Sequence, residues 1–285
     1  MSIISEPINE VKRSIQKIDA SPTKNGFGNK GVDGLLVNVE RVDILGVEIS
    51  AINIHQAISM IDDWLTHRTP RYVCVAAAHC IMDSLNSPEL QRIYNSSGLT
   101  TPDGMSLVWL MRLRGYHNVG RVYGADLMLA TCQLSLAKGY RHFLYGGKPG
   151  VADMLADRLQ ELFPGIQIVG TYSPPFGELT PEEDRAIIDL INATNPDIVW
   201  VGMSSPKQDL WMATHRDLLA APVLIGVGAA FDFLSGHKRQ APIWMQRLGI
   251  EWLFRLAMEP RRLWRRYIQY PRFALLALAQ TIGLI

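Results

Sequence analysis

The chain is 285 residues long, 48% hydrophobic, and carries a formal net charge of +1 at pH 7. That length buries one substantial core or two small ones, and so balanced a charge excludes a nucleic-acid binder with a basic face throughout. The three cysteines, Cys74, Cys80 and Cys132, have no metal-ligand spacing, which argues against structural disulfides and for a reducing, cytosolic setting.

Residues 1–36 are polar, include Ser21-Pro22-Thr23-Lys24-Asn25-Gly26, and read as a mobile leader. With Glu6, Glu10 and Lys12 among its early residues, this stretch lacks the apolar block of a secretory signal. Residues 37–239 then alternate strand-length apolar runs with segments of helical period. A strand is expected over Val42–Ile49, a helix over Ile54–Thr66, a strand over Tyr72–Ala76 and helices over Pro88–Ser96, Gly104–Leu113 and Asp126–Lys138. Next come strand His142–Tyr145, helix Gly150–Leu162, strand Ile166–Thr171, helix Pro181–Ala193, strand Ile198–Val201, helix Lys207–Leu218 and strand Val223–Val227. Continuous apolar strands alternating with helices specify a mostly parallel sheet covered on both faces, a Rossmann-like three-layer α/β body.

From residue 240 to the end, helices form a basic appendage. On a helical wheel Leu263, Trp264, Tyr267 and Ile268 share one side, and Arg261, Arg262, Arg265 and Arg266 take the other. Such a stripe suits the boundary between hydrocarbon and anionic headgroups, and equally a helix docked on the body with solvated arginines. Arginine favours the first reading, because its planar fork grips phosphate through paired hydrogen bonds. The tail 273–285 is apolar apart from Gln280 and Thr281, yet falls short of the roughly 20 residues that a spanning helix needs.

In open parallel sheets ligands gather at the carboxyl ends of the strands. The loop Gly146-Gly147-Lys148-Pro149-Gly150 lies there, with Pro149 placed for a first helical turn and Lys148 for a phosphate. It is not a Walker loop, and no Gly-x-Gly-x-x-Gly opens a first βα unit, which disfavours ATP hydrolysis and ordinary nicotinamide binding. Asp103, in Thr101-Pro102-Asp103-Gly104, suits either a helix N-cap or a general base projecting into the cleft. Gln208 is read as a sugar-hydroxyl partner or an exposed helix residue, and Arg121 as a phosphate partner or a surface arginine. Tyr172 has stacking potential, and Asp232, between two phenylalanines, is an odd place for a carboxylate without a partner. No Asp-x-Asp falls in a predicted loop and the histidines lack ligand spacing, so no metal site is expected.

Taken in order, these segments resemble the WecG/TagA/CpsF glycosyltransferases, glycosyltransferase family 26. The resemblance rests on Thr101-Pro102-Asp103-Gly104, Arg121-Val122-Tyr123-Gly124-Ala125-Asp126-Leu127, Phe143 through Gly150, Val201 through Gln208, Gly226 through Asp232 and Arg239 through Tyr267. It implies an inverting, metal-independent enzyme that needs no cofactor. Such an enzyme moves a sugar from a nucleoside diphosphate, UDP in the first instance, to a polyprenyl-diphosphate-linked saccharide at the cytoplasmic membrane face. It also implies roles: Asp103 as catalytic base, Arg121 and Gln208 as active-site polar residues, and Gly146, Gly147, Lys148, Tyr172 and Asp232 around the nucleotide. Arg255, Arg262 and Arg265 belong to a membrane-docking appendage that helps complete the site.

One departure bears on the donor. Where the family shows Thr-x-Asn after the second strand, this chain has Ala77-Ala78-His79. Losing a hydroxyl and an amide from a pocket changes which sugar is accepted, so Ala77 and His79 leave the hexose open. His79 either replaces the amide or caps the next helix. Homo-oligomerisation is left open. A Rossmann-type oxidoreductase and a non-enzymatic membrane-surface scaffold are the alternatives.

Overall fold

A computed structural model describes residues 39–177 and 179–284; the leader expected over residues 1–36 lies outside the described residues. The chain opens with a hairpin of β1 (Arg41–Ile44) and β2 (Val47–Ser50). The sequence suggests one strand here, but Leu45 and Gly46 take φ of 55° and 89° and reverse the chain. A two-residue turn with both φ positive matches the twist of a hairpin.

The body follows as α1 (Ile54–Thr66), β3 (Arg71–Ala76), α2 (Ala78–Ser84), α3 (Pro88–Ser96), β4 (Leu99–Pro102), α4 (Met105–Leu113) and α5 (Gly124–Lys138). It continues with β5 (Arg141–Gly146), α6 (Val151–Leu162), β6 (Gln167–Tyr172), α7 (Pro181–Ala193), β7 (Ile198–Gly202), α8 (Lys207–His215), β8 (Val223–Gly226) and α9 (Ala230–Leu234). Strands β3 to β8 form one parallel sheet in the order β4-β3-β8-β7-β5-β6. This is the Rossmann-like α/β body the alternation implies.

Both faces of the sheet are covered, and the strands show why they read as unbroken apolar runs. Tyr72, Cys74, Ala76, Val199 and Val201 point into one core, while Val73, Val75, Ile198 and Trp200 point into the other. Successive side chains alternate faces, so two buried faces demand an apolar residue at every position. The chain fills one edge with β3 and β4, crosses to β5 and β6, and returns to the centre with β7 and β8. The loops leaving β3, β4, β5, β7 and β8 therefore converge on one sheet edge.

The C-terminal region is helical: α10 (Ile243–Arg247), α11 (Glu251–Met258), α12 (Pro260–Tyr267) and α13 (Tyr270–Thr281). Among the described residues no helix is long and apolar enough to cross a membrane. Buried Leu263, Tyr267, Phe273 and Ala277 seat α12 and α13 on the body. Polar ties hold the far end of α13: Arg114 donates to Thr281 Oγ1 at 2.9 Å and Gln280 Oε1 at 2.9 Å, and Gln280 Nε2 donates to Asp43 Oδ1 at 2.5 Å.

The two-sided wheel read from the sequence becomes three-sided. Leu263 and Tyr267 face the body, Arg262 and Arg266 reach a cleft, and Trp264 and Ile268 are 48% and 66% exposed beside Arg261 and Arg265.

Candidate active site

A cleft of about 1020 Å³ opens at the carboxyl ends of the strands, walled by the body on one side and by α11 and α12 on the other. It collects His79, Asp103, Gly147, Lys148, Gln208, Asp232, Arg255 and Arg262 from positions more than 180 residues apart.

Asp103 follows β4 directly, and its N–H donates to Ala76 O at 2.9 Å, extending the β3–β4 ladder to the cleft mouth. The side chain does not cap α4: Gly104 is the N-cap residue and makes no side-chain cap bond. The carboxyl instead lies toward the N–H of Gly124 at the start of α5, which lowers its pKa, and Oδ1 is buried with no protein partner. Gly124 is needed there, because a Cβ would stand 3.0 Å from Val227 O. Burial pushes the Asp103 carboxyl up to about 6, opposed by Arg121 and supported by Glu251, with Arg255 and the Gly124 N–H also lowering it. A carboxyl near neutrality with one unpartnered oxygen, on a residue that lines a cavity, is equipped to take a proton at physiological pH.

Arg121 does not line the cleft. Its Nε donates to the Asp103 carbonyl at 2.5 Å, and Nη2 meets Glu251 Oε2 at 2.6 Å. The guanidinium lies 4.1 Å over the Tyr123 ring, whose hydroxyl donates to Glu251 Oε1 at 3.4 Å. Arg121 thus clamps the backbone of Asp103 and ties it to α11. Two of its donors are committed to protein acceptors, which sets Arg121 behind the cleft wall. Glu251, invisible to motif reading, joins the C-terminal helices to the Asp103 loop.

Gln208 is buried, not exposed. Its Nε2 donates to Ser205 Oγ at 3.2 Å, while Oε1 is buried without a protein partner. His79 is half-buried at the cleft, with Nε2 3.5 Å from Cys80 Sγ and Nδ1 buried without a partner. Burial, with Arg266 and Arg255 adding to it, drives the His79 pKa well below its ordinary value, so the imidazole is neutral. His79 is not a cap, since α2 is capped by Ala77 with no side-chain bond. Ala77 is buried and does not line the cleft.

The glycine loop divides its labour. Gly146 has φ of 128°, and a Cβ on it would lie 2.7 Å from the Gly202 carbonyl, so it permits close packing of two strand ends and is not a lining residue. Gly147, with φ of 75°, and exposed Lys148 do line the cleft. Pro149 precedes the helix, which starts after the N-cap Gly150.

Tyr172 also stands behind the cleft. It stacks on Tyr145 at 6.2 Å, and Tyr145 stacks on Trp211 at 4.2 Å; the latter two form the aromatic wall. Asp232 has the partner its setting requires: Lys238 Nζ sits 2.8 Å from Oδ2 and bridges to Glu259 Oε1 at 3.1 Å.

Arg265 turns outward, 5.4 Å from the Trp264 ring. The neighbouring Arg266 faces inward, and its Nη2 donates to Ser205 O at 3.2 Å. Arg266 and Lys238 are cleft residues that sequence reasoning missed. The signal for Arg266 was its spacing of four from Arg262, which puts both on one helix face.

Lys148, Lys238, Arg255, Arg262 and Arg266 ring a cavity that holds Asp103. Among the described residues no group of three or more His, Cys, Asp or Glu is arranged to hold a metal ion. A parallel α/β sheet whose cleft combines a carboxyl raised toward neutrality with a cationic rim suits group transfer between anionic substrates.

The chain belongs to the WecG/TagA/CpsF glycosyl transferase family, whose profile matches residues 42–284, and it is a glycosyltransferase. It is similar to the N-acetylglucosaminyldiphosphoundecaprenol N-acetyl-beta-D-mannosaminyltransferase of Bacillus subtilis (strain 168), at 33% identity over 189 residues, 66% of this chain and 71% of the relative. The protein of the same description from Bacillus spizizenii is 27% identical over 235 residues, 82% of this chain and 88% of the relative.

Proposed function

We propose that this enzyme moves a hexose-type sugar from a nucleoside diphosphate donor, UDP in the first instance, to a polyprenyl-diphosphate-linked saccharide. The step is a single displacement without a divalent metal, and it serves bacterial exopolysaccharide, capsule or cell-wall polymer synthesis. The observation that carries this reading is the opposition, in one cleft, of the Asp103 carboxyl to Lys148, Arg255, Arg262 and Arg266. The two relatives are described by a diphosphoundecaprenol acceptor and an N-acetylmannosaminyl donor group, which supports the acceptor class.

In the step, an acceptor hydroxyl gives its proton to Asp103 as its oxygen bonds to the anomeric carbon. The bond from that carbon to the diphosphate oxygen breaks on the opposite face. The departing charge is met by the cationic side chains and by loop amides, as a preorganised site requires. In this reading Gln208 Oε1 and His79 Nδ1, buried polar atoms without protein partners, bond sugar hydroxyls; an unfilled bond in such a site dominates discrimination. Ala77 and His79 differ from the family's Thr-x-Asn, so the donor hexose is assigned by class.

The outward face of the C-terminal helices carries exposed Trp244, Leu248, Leu253, Met258, Trp264 and Ile268 beside Arg261 and Arg265. Aromatic and aliphatic groups set among arginines suit peripheral binding to an anionic bilayer, and we place the enzyme on the cytoplasmic face.

Thermal denaturation with a panel of nucleoside diphosphate sugars tests the donor class. A UDP-hexose near 100 times its Kd adds about 2.7 kcal/mol and raises the melting temperature equally with and without chelator. A panel with no stabilising member, or stabilisation lost on chelation, contradicts the reading. The rate should also fall on the acid side with a limb near pH 6, because Asp103 accepts a proton only when ionised. A profile flat down to pH 5 would remove Asp103 as the base.

A further inference from the structure

We propose that the apolar groove between α4 and α13 seats the first isoprene units of the lipid-linked acceptor, an assignment that rests on the glycosyl-transfer reading above. The groove measures about 440 Å³. Its rim residues Trp109, Leu113 and Leu278 are 49%, 68% and 49% exposed.

The argument for an occupant is continuity with the cleft. Each wall of the groove adjoins, in sequence, a residue that lines the catalytic cavity. Helix α2 gives Ala78 to the groove and His79 to the cleft; the segment after β4 gives Asp103 to the cleft and Ser106 and Trp109 to the groove. On the third side Arg262 and Arg266 of α12 face the cleft, while Tyr270 and Ala274 of the next helix, α13, line the groove. Tyr270 opens α13 and lines the groove. Its hydroxyl pKa is raised by burial first, then by Tyr267 and Cys80.

The far end is closed by the Arg114 clasp to Gln280 and Thr281. From Ser106 to Leu113 the channel runs about 10 Å along α4. An acceptor whose sugar hydroxyl meets Asp103 and whose diphosphate meets the arginines has to carry its hydrocarbon out of the cleft. The groove gives that hydrocarbon an apolar path beginning at the arginine row. A bilayer acyl chain has no need of a groove whose inner end adjoins a catalytic carboxyl.

Photolysis of the full-length protein with a benzophenone-bearing farnesyl diphosphate, followed by peptide mapping, tests the assignment. Adducts are expected in residues 105–113 and 270–281. Unlabelled farnesyl diphosphate should compete them away; phosphatidylglycerol and phosphatidylethanolamine vesicles should not. Adducts confined to outward residues such as Trp244 and Trp264, or equal competition by vesicles, would overturn the groove.

A second measurement uses Ala274→Trp, which fills the channel. The ratio of kcat/KM for an undecaprenyl-linked acceptor to that for a short-alkyl acceptor should fall about tenfold or more as several carbons lose their apolar wall. An equal change with both acceptors contradicts the assignment. If the unmodified enzyme transfers to neither acceptor, the glycosyl-transfer reading fails, and the cross-link alone decides the groove.

Discussion

Asp103→Asn should lower the turnover of glycosyl transfer by about 10²- to 10⁴-fold, the usual worth of general-base assistance, while a UDP sugar still binds. The same substitution should raise the melting temperature. Asp103 has its pKa raised to about 6 by burial, so the native state holds a proton that the unfolded chain releases near pH 4. Stability therefore declines as pH rises from about 4 to about 6, and the cost persists at neutral pH. The gap corresponds to at most about 3 kcal/mol, which a neutral amide of the same shape relieves. Turnover and melting temperature measured together on one variant check this. A carboxylate whose loss costs activity and gains stability is a functional group; one whose loss costs stability alone would be a structural cap.

Arg121→Met should destabilise the protein by about 3–5 kcal/mol, read from the denaturant midpoint. The pair Arg121–Glu251 is short, at 2.6 Å, with side chains 17% and 11% exposed. Removing one partner leaves a buried charge without compensation, which is far costlier than losing both. The double variant Arg121→Met with Glu251→Leu should recover most of that stability, since a packed apolar pair often equals a buried ion pair. Transfer should stay low in the double variant, because the Asp103 carbonyl loses the Nε donor at 2.5 Å. A single variant within about 1 kcal/mol of the parent would show that the pair is not coupling α11 to the body.

The sheet was legible in the sequence because strands buried on both faces leave long apolar runs, as in Ile198–Gly202. Strand β4 was not. Its Thr100 and Thr101 look like loop residues, yet Thr100 is buried and its hydroxyl donates to Tyr94 O at 2.7 Å. The β1–β2 turn was hidden because Leu45, at positive φ, is not a residue that signals a turn.

Within the site, Gln208 and Lys148 could be found from their positions at strand ends and Asp103 from its place just before a helix, and the cleft gathers all three. Arg121, Gly146 and Tyr172 stand one layer behind it. The distinction depends on tertiary partners, namely Glu251, Gly202 and Tyr145, that no local pattern encodes. The wheel also treated the arginines of α12 as one face. Docking through Leu263 and Tyr267 rotates Arg266 inward and Arg265 outward, so adjacent arginines face opposite environments.

The central claim is that one carboxylate activates the acceptor while protein cations receive the departing diphosphate. The most direct test is the anomeric configuration of the product, read by NMR on transfer run in excess chelator. The account predicts inversion relative to the donor at an undiminished rate. Retention of configuration, or a rate abolished by the chelator, would contradict it.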